Sequence, residues 1–422
     1  MPINIETFNN AVGGNAFYKA VTHPLAAEPA RALVSKLRAN GAVAIYDPHN
    51  LLAAFDAFFP FDGIEIAGVF VQDIGHIGRT FRNHAARPVT ELAACRCSTV
   101  LIADFDTARV SAYIRPLAPK AELVSLDSIR LPADMLSDKA RYLSNLNFAT
   151  NFVFFRDTDG HHTRLVSANY WSAYSGRDGA IWFHLFDDAG KPLATWKDAL
   201  PASNGTVVVD SKTVRARFGL PEFNGQLFMH VIGAAGHDVV KYALDTYGDA
   251  PEVLSCTHDA NSWPANRYAG LPAPQDGEDV VLWVQNVHPN PIAAGEIGLN
   301  LMGDDNIAWL QEPLGAFATR ALHVSELLPK ARWPQQIEIR AGKHMVRPRY
   351  EVMRDNGRSR IAHPNVERED LKLDPQLPKL GALLGRGFIL PAPVLPLDRY
   401  RSIVLPTPMS DRKSTRLNSS HT

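Results

Sequence analysis

The chain changes its hydrophobic rhythm near residue 150, and that change limits the folds open to it more than any motif does. Before it, short apolar runs alternate with stretches of helical spacing. "AVAIY" (42–46) leads to helix-like "NLLAAFDAFF" (50–59), then "IEIAGVFV" (64–71). "STVLIADF" (98–105) leads to helix-like "TARVSAYIRPLA" (107–118), then "AELVSLDSI" (121–129). Apolar runs of this length without polar alternation fit strands covered on both faces, and strand–helix alternation fits a parallel sheet built from right-handed crossovers. A further helix is predicted over 24–39, stopped by Gly41.

Past a helix-like connector at 133–146, only turns separate the runs. These are "NFVFF" (151–155), "RLVSANYW" (164–171), "AIWFHLF" (180–186), "TVVVD" (206–210) and "QLFMHVIG" (226–233), with Asp/Gly turns at 157–160 and 187–190. Such spacing is that of a β-sandwich. A second set, "VVLWVQNV" (280–287), "TRALHV" (319–324) and "QIEIRAG" (336–342), falls into one frame with the first. Thr206 aligns with Thr319, Val209 with Leu322, Val214 with Leu327, Gln226 with Gln336, Leu227 with Ile337, and Met229 with Ile339. The frame points to a tandem repeat of one unit.

The expected fold class is therefore multidomain α/β plus all-β: a parallel sheet over 1–132, a helical connector over 133–148, then tandem β-sandwich units. The first unit spans 149–260, a proline-containing linker 261–279, and the second unit 280–353. The stretch 354–410 reads as linker and the start of a truncated third unit at "RSIVLP" (401–406). Residues Asp411 to His421 back-translate to a common sequencing-library adapter, so 411–422 reads as an artefact of cloning or assembly. The native chain is then expected to continue beyond Ser410.

Among 422 residues, 43 are Lys or Arg and 44 are Asp or Glu. A net charge of -1 offers no footprint for nucleic acid. No apolar run is long enough to span a membrane, and no secretory leader is apparent. Three cysteines make no disulfide framework, which fits a cytoplasmic location. Nucleophile elbow, P-loop, zinc-protease and paired Cys-x-x-Cys motifs are all absent, as is His-x-His. No metal or cofactor is expected.

The strand Val43–Tyr46, the strand Val69–Gln72 ending at Asp73, Ile77-Gly78-Arg79, Pro88-Val89 and Val100–Ile102 together resemble the small Rossmann-like domains of nucleotide-sugar modifying and CoA-binding-like proteins. The resemblance implies a pyrophosphate site after the first strand and Asp73 as the residue that would address a ribose. Yet the expected glycine loop reads Tyr46-Asp47-Pro48-His49-Asn50, where Asp47 suits a helix N-cap and Pro48 a first helical turn. A capping carboxylate occupies the donors that a phosphate needs.

In the β-rich part, Tyr170 and Tyr174 of "NYWSAY" are read as sharing one strand face opposite Trp171, a candidate sugar platform. Arg347 and Arg349 are candidate partners for an anionic group. Asp157 and Asp159 have a calcium-like look but read as a hairpin turn. His161-His162, His184, His230, His237 and His258 form a scatter with no ligand spacing. The leading functional expectation is a non-catalytic or accessory bacterial protein that binds a carbohydrate or a protein partner. Its link to surface-polysaccharide metabolism is implied by the resemblance alone. Competing expectations are a nucleotide-sugar modifying enzyme and a structural assembly protein.

Overall fold

The computed structural model of the chain describes residues 14–174, 179–250, 253–259, 264–355 and 357–367, with residues 3, 396, 398 and 399. The expected strand at 401–406 and the tail 411–422 lie outside the described residues. Among the described residues no helix is long and apolar enough to cross a membrane.

Two helices, α1 (Gly14–Thr22) and α2 (Ala27–Ala39), precede the first strand. The buried stripe of α2 is Ala30, Leu33, Val34 and Leu37, and Gly41 follows its end at φ +75°. Next come β1 (Val43–Tyr46), α3 (Leu52–Asp56), β2 (Ile66–Val71), β3 (Thr80–Phe81), β4 (His84–Pro88), β5 (Thr99–Ile102), α4 (Ala108–Ile114) and β6 (Glu122–Ser125). Strands β4, β2, β1, β5 and β6 lie side by side in that order, all parallel, with β3 antiparallel at the β4 edge. Val43 and Ile45 enter a core with Leu33 and Leu37, while Ala44 and Tyr46 pack with Ile114. One strand feeds two cores, which is why its sequence shows no polar alternation. Strand order reverses between β1 and β5.

The connector over 133–146 is not an α-helix but two short turns, Ala133–Met135 and Asn145–Phe148, with irregular backbone between them. The Asn147 amide bonds the carbonyls of Asp138, Arg141 and Tyr142, and Asp138 accepts from Ala140 N. Local side-chain bonds of this kind outcompete the helix ladder.

The remaining strands pair only antiparallel. In order they are β7 (Thr150–Thr158), β8 (His161–Ala168), β9 (Ala180–Asp187), β10 (Pro192–Ala199), β11 (Thr206–Asp210), α5 (Ser211–Phe218), β12 (Phe223–Ile232), β13 (Tyr242–Gly248) and β14 (Leu254–Asp259). Then follow β15 (Arg267–Pro272), β16 (Glu278–Gln285), β17 (Gly298–Leu301), β18 (Ala308–Trp309), β19 (Thr319–His323), α6 (Val324–Leu327), β20 (Gln336–Arg340), β21 (Arg349–Arg354), β22 (Ser359–Ala362) and β23 (Asn365–Glu367). The segments expected as linkers thus carry strands: β15 lies within 261–279, and β22 and β23 lie beyond 354. Prolines at the margins of β15 hide it from a sequence reading.

The first set forms the rows β10-β9-β12-β7 and β11-β8-β13-β14, joined at the β7–β8 turn. Raising every strand number by eight gives the rows of the second set, β18-β17-β20-β15 and β19-β16-β21-β22, with β23 added beside β15. Each set also places a helix between the same two strands. Thr206 and Thr319 open β11 and β19, and Leu227, Met229, Ile337 and Ile339 are all buried.

Row β10-β9-β12-β7 is covered on both faces. Val153, Phe155, Phe183, Leu185, Leu227 and Met229 face a core shared with Leu165, Val209 and Leu244 of the companion row. On the opposite face, Trp182 stacks with His23, Phe186 with Phe317, and Phe154 packs on Trp283. Polar groups there find fixed partners: Gln226 Nε2 donates to Asn286 O and Phe317 O, both at 2.7 Å, and a ring nitrogen of His23 lies 2.9 Å from one of His230. Helix α1, the first set and the second set therefore meet on one apolar cluster.

The β9–β10 turn presses against the second set, with Thr319 N donating to Asp188 O at 2.9 Å. Gly190 in that turn has φ +80°, and a Cβ there would lie 1.9 Å from Ala316 O. Gly190→Ala is expected to lower stability by about 3 kcal/mol, combining left-handed strain with overpacking. Gly303→Ala, at φ +83° with nothing nearby, should cost only about 1 kcal/mol. Denaturant midpoints of the two variants check the difference.

Candidate functional site

The β7–β8 hairpin turns through Asp159 (φ 50°) and Gly160 (φ 67°), a two-residue loop of the kind right-twisted strands prefer. That turn sets Asp157 directly across from His162. Helix α5 docks beside it: Asp210 caps Lys212 N at 3.0 Å, Thr163 N donates to Ser211 Oγ at 3.0 Å, and Gly219 closes the helix in the left-handed conformation. Lys212 and Arg215, three residues apart, share a helix face and line one cleft.

The cleft has a volume of about 560 Å³ and is also lined by Thr158, His162, Glu222 and Asp249. Its floor is Asp157, whose side chain is 2 % exposed. Asp157 Oδ1 accepts from Arg215 Nη1 at 3.0 Å, and its Oδ2 lies 3.2 Å from His162 Nδ1. His162 Nε2 lies 3.1 Å from Asp249 Oδ1, and Lys212 Nζ donates to that same oxygen at 2.8 Å. Glu222 accepts from Thr158 Oγ1 at 3.2 Å and from Asp159 N at 3.3 Å. The Tyr247 ring packs on His162, while its hydroxyl donates to Asp210 at 2.7 Å.

The Lys212 hydrogen bond, and then that of His162, holds the Asp249 carboxyl below the usual carboxylate range. The same contact raises Lys212. Such an arrangement can bind polar groups through paired donors and acceptors. Among the described residues no group of three or more His, Cys, Asp or Glu is placed to hold a metal ion.

A second concavity lies beyond the end of β1, on the side of β2 and β4. Asp47 is not the N-cap of α3, which is Leu51, but its carboxylate accepts from Leu51 N at 2.9 Å and Leu52 N at 3.2 Å and so satisfies the start of the helix. It does so across a bend, however, and Pro48 is not in the helix, which begins at Leu52. Burial raises the Asp47 carboxyl to about 6 against the pull of those two N–H groups, and burial also raises Asp104, which bonds His49 at 2.9 Å. A cavity of about 60 Å³ beside Asp47 is lined by Asn50, His76 and Arg79 among others. Asp73 caps the turn Ile74–His76 through Gly75 N at 2.8 Å and remains more than half exposed.

Tyr170 and Tyr174 lie on a short 3-10 turn, not on a strand, so strand alternation does not set their directions. The turn still brings them together around His237: Tyr170 stacks on it at 5.3 Å and Tyr174 meets it edge-on at 5.5 Å. The Tyr170 hydroxyl is occupied by Val239 O and Lys241 N, and Trp171 is buried, donating to His237 O. Arg349 is an interior side chain bonded to the Tyr242 hydroxyl at 2.9 Å and Asp259 at 3.4 Å. Arg347 lends its carbonyl to Arg349, and neither arginine lines the cleft.

Sequence reading named Asp157 and His162 without connecting them, and it missed Lys212, Arg215, Glu222 and Asp249. The one local signal was the Lys212/Arg215 spacing on a capped helix. Comparison of the chain with models of known protein families gives no match, and comparison with curated proteins gives no significant one.

Proposed function

We propose that the protein is a non-catalytic glycan-binding protein whose ligand occupies the cleft beside α5. The observation that carries this reading is the cleft's lining, with carboxylates of Glu222 and Asp249 beside the cationic groups of Lys212 and Arg215. A sugar hydroxyl both donates and accepts, so neighbouring hydroxyls are satisfied where anionic acceptors and cationic donors stand in pairs. The volume falls within the range of small-molecule sites, about 300–1,000 Å³.

In this reading the parallel strands form a Rossmann-like support without a nucleotide. Five parallel strands with a reversal beside the first favour that likeness. Asp47 argues against a bound pyrophosphate, since it already takes the amides of Leu51 and Leu52 and would repel one. The recurring strand order supports two copies of one β-sandwich unit, near 150–259 and 267–362. The likeness to nucleotide-sugar proteins supports an accessory role in surface-polysaccharide metabolism.

A thermal-shift panel of neutral and acidic oligosaccharides, nucleotide sugars, NAD(P) and CoA on the intact chain tests the reading. A glycan at about a hundred times its dissociation constant should add about 2.7 kcal/mol of stability. Glu222→Ala should remove that gain. A shift with nucleotides alone, untouched by Glu222→Ala, would overturn the reading in favour of an enzyme using the crevice at Asp47.

A further inference from the structure

We infer that the cleft is an anion site covered by the protein's own Asp249, and that its ligand is a glycan bearing a carboxylate, such as a uronate; the glycan part rests on the reading above. The geometry is a convergence. Lys212 Nζ, from the first turn of α5, and His162 Nε2, from β8, approach a single oxygen, Asp249 Oδ1, at 2.8 and 3.1 Å. Two nitrogens from separate elements aimed at one point make a receptor for a carboxylate oxygen.

Receptor and occupant differ in how firmly they are held. His162 is buried, with Asp157 on its other nitrogen and the Tyr247 ring against it. The Asp249 side chain is 66 % exposed and follows the end of β13. The Lys212–Asp249 pair is exposed on both sides, and such pairs contribute about 0–1 kcal/mol, so releasing Lys212 from Asp249 costs little. A ligand carboxylate then inherits both contacts, and its ring hydroxyls reach Thr158, Glu222 and Arg215 on the same wall. The other carboxylates facing the site are already compensated: Asp157 by Arg215 and His162, Glu222 by Thr158, Asp159 N and the nearby Arg215.

The second strand set gives an internal contrast. The frame that matches Val209 with Leu322 puts Ser325 in the place of Lys212 and Leu328 in the place of Arg215. The cationic donors belong to the first set alone, so this chemistry is not a by-product of the shared topology.

Titration calorimetry on the full chain tests the inference with three probes: a galacturonate disaccharide, its neutral galactose counterpart and inorganic sulfate. Asp249→Ala should tighten the acidic disaccharide about fivefold, the size of a lost competing ion pair. Asp249→Asn, which preserves shape, should move affinity in the same direction. Lys212→Met should remove the preference for the acidic sugar and leave the neutral one unchanged. Equal binding of both sugars to the wild type, with Asp249→Ala weakening both, would overturn the inference and leave the glycan reading standing. Tighter sulfate binding to Asp249→Ala with no sugar bound would uphold the anion site and overturn the glycan reading. Silence from all three probes with every protein would overturn both.

Discussion

Arg156→Ala is expected to destabilise the protein by about 3–5 kcal/mol, the range for removing one partner of a buried ion pair. Arg156 on β7 donates from both terminal nitrogens to both oxygens of Glu351 on β21, at 2.9 and 2.8 Å. Their side chains are 6 % and 2 % exposed. Trp283 Nε1 and the Ser359 hydroxyl also donate to Glu351. Burial alone would raise the Glu351 carboxyl, but its hydrogen bonds and the Arg156 charge hold it below the usual range. Truncating Arg156 leaves that charge desolvated at the junction of the two strand sets. The double variant Arg156→Met with Glu351→Leu removes both charges and should recover most of the loss, because buried pairs exchange for apolar packing at little net cost. Chemical denaturation reads both. A single variant losing under about 1 kcal/mol would mean that the junction opens to water.

The second large effect is a loss of stability in mild acid. His23, His230 and His288 are buried where α1, α2 and the antiparallel sheets meet. Burial drives all three down, His230 to about 3, and neighbouring histidines add to the effect at His23 and His288. Burial also lowers His184 to about 4. The folded state keeps these rings neutral, whereas the unfolded chain takes up protons near pH 6.5. Below about 6.5, then, the unfolded state binds more protons, and stability falls as pH falls. Each such histidine contributes about 1.4 kcal/mol per pH unit until its folded pKa is reached.

Asp47 acts in the opposite direction. Its folded value of about 6 exceeds the ordinary 3.8, so stability recovers as pH falls between those values. One such carboxyl, joined by the raised Asp104, is outweighed by four histidines. Thermal midpoints should drop steadily from pH 7 to pH 4.5, and His288→Phe should flatten the slope by about one histidine's share. A midpoint that is level or rises over that range would contradict neutral burial at this junction.

Much of this arrangement was legible in the sequence, for identifiable reasons. The runs at 42–46 and 98–105 form β1 and β5, because a strand buried on both faces must be apolar throughout. "NFVFF" and "QLFMHVIG" carry the same signal, and β7 and β12 are covered on both sides. The frame from Thr206 to Met229 coincides with β11, α5 and β12, because turn spacing and core positions are local properties. Strand β15 was hidden by prolines that sit at its ends. Helix α1 was not read at all, since its burial depends on Lys19 meeting Asp238 and Phe148 O, partners far along the chain. The cleft was illegible for the same reason. Asp157, Lys212 and Asp249 come together only through the registers of β7, β8 and β13, and no spacing rule encodes those.

Hydrogen–deuterium exchange on the intact chain, with and without a mixture of neutral and uronate-containing oligosaccharides, reads whether a glycan occupies the cleft beside α5. A glycan seated beside α5 will slow exchange in 157–163, 211–220 and 246–249 and leave 47–53 and 103–107 unchanged. Protection confined to 47–53 and 103–107, or absent everywhere, would contradict the account.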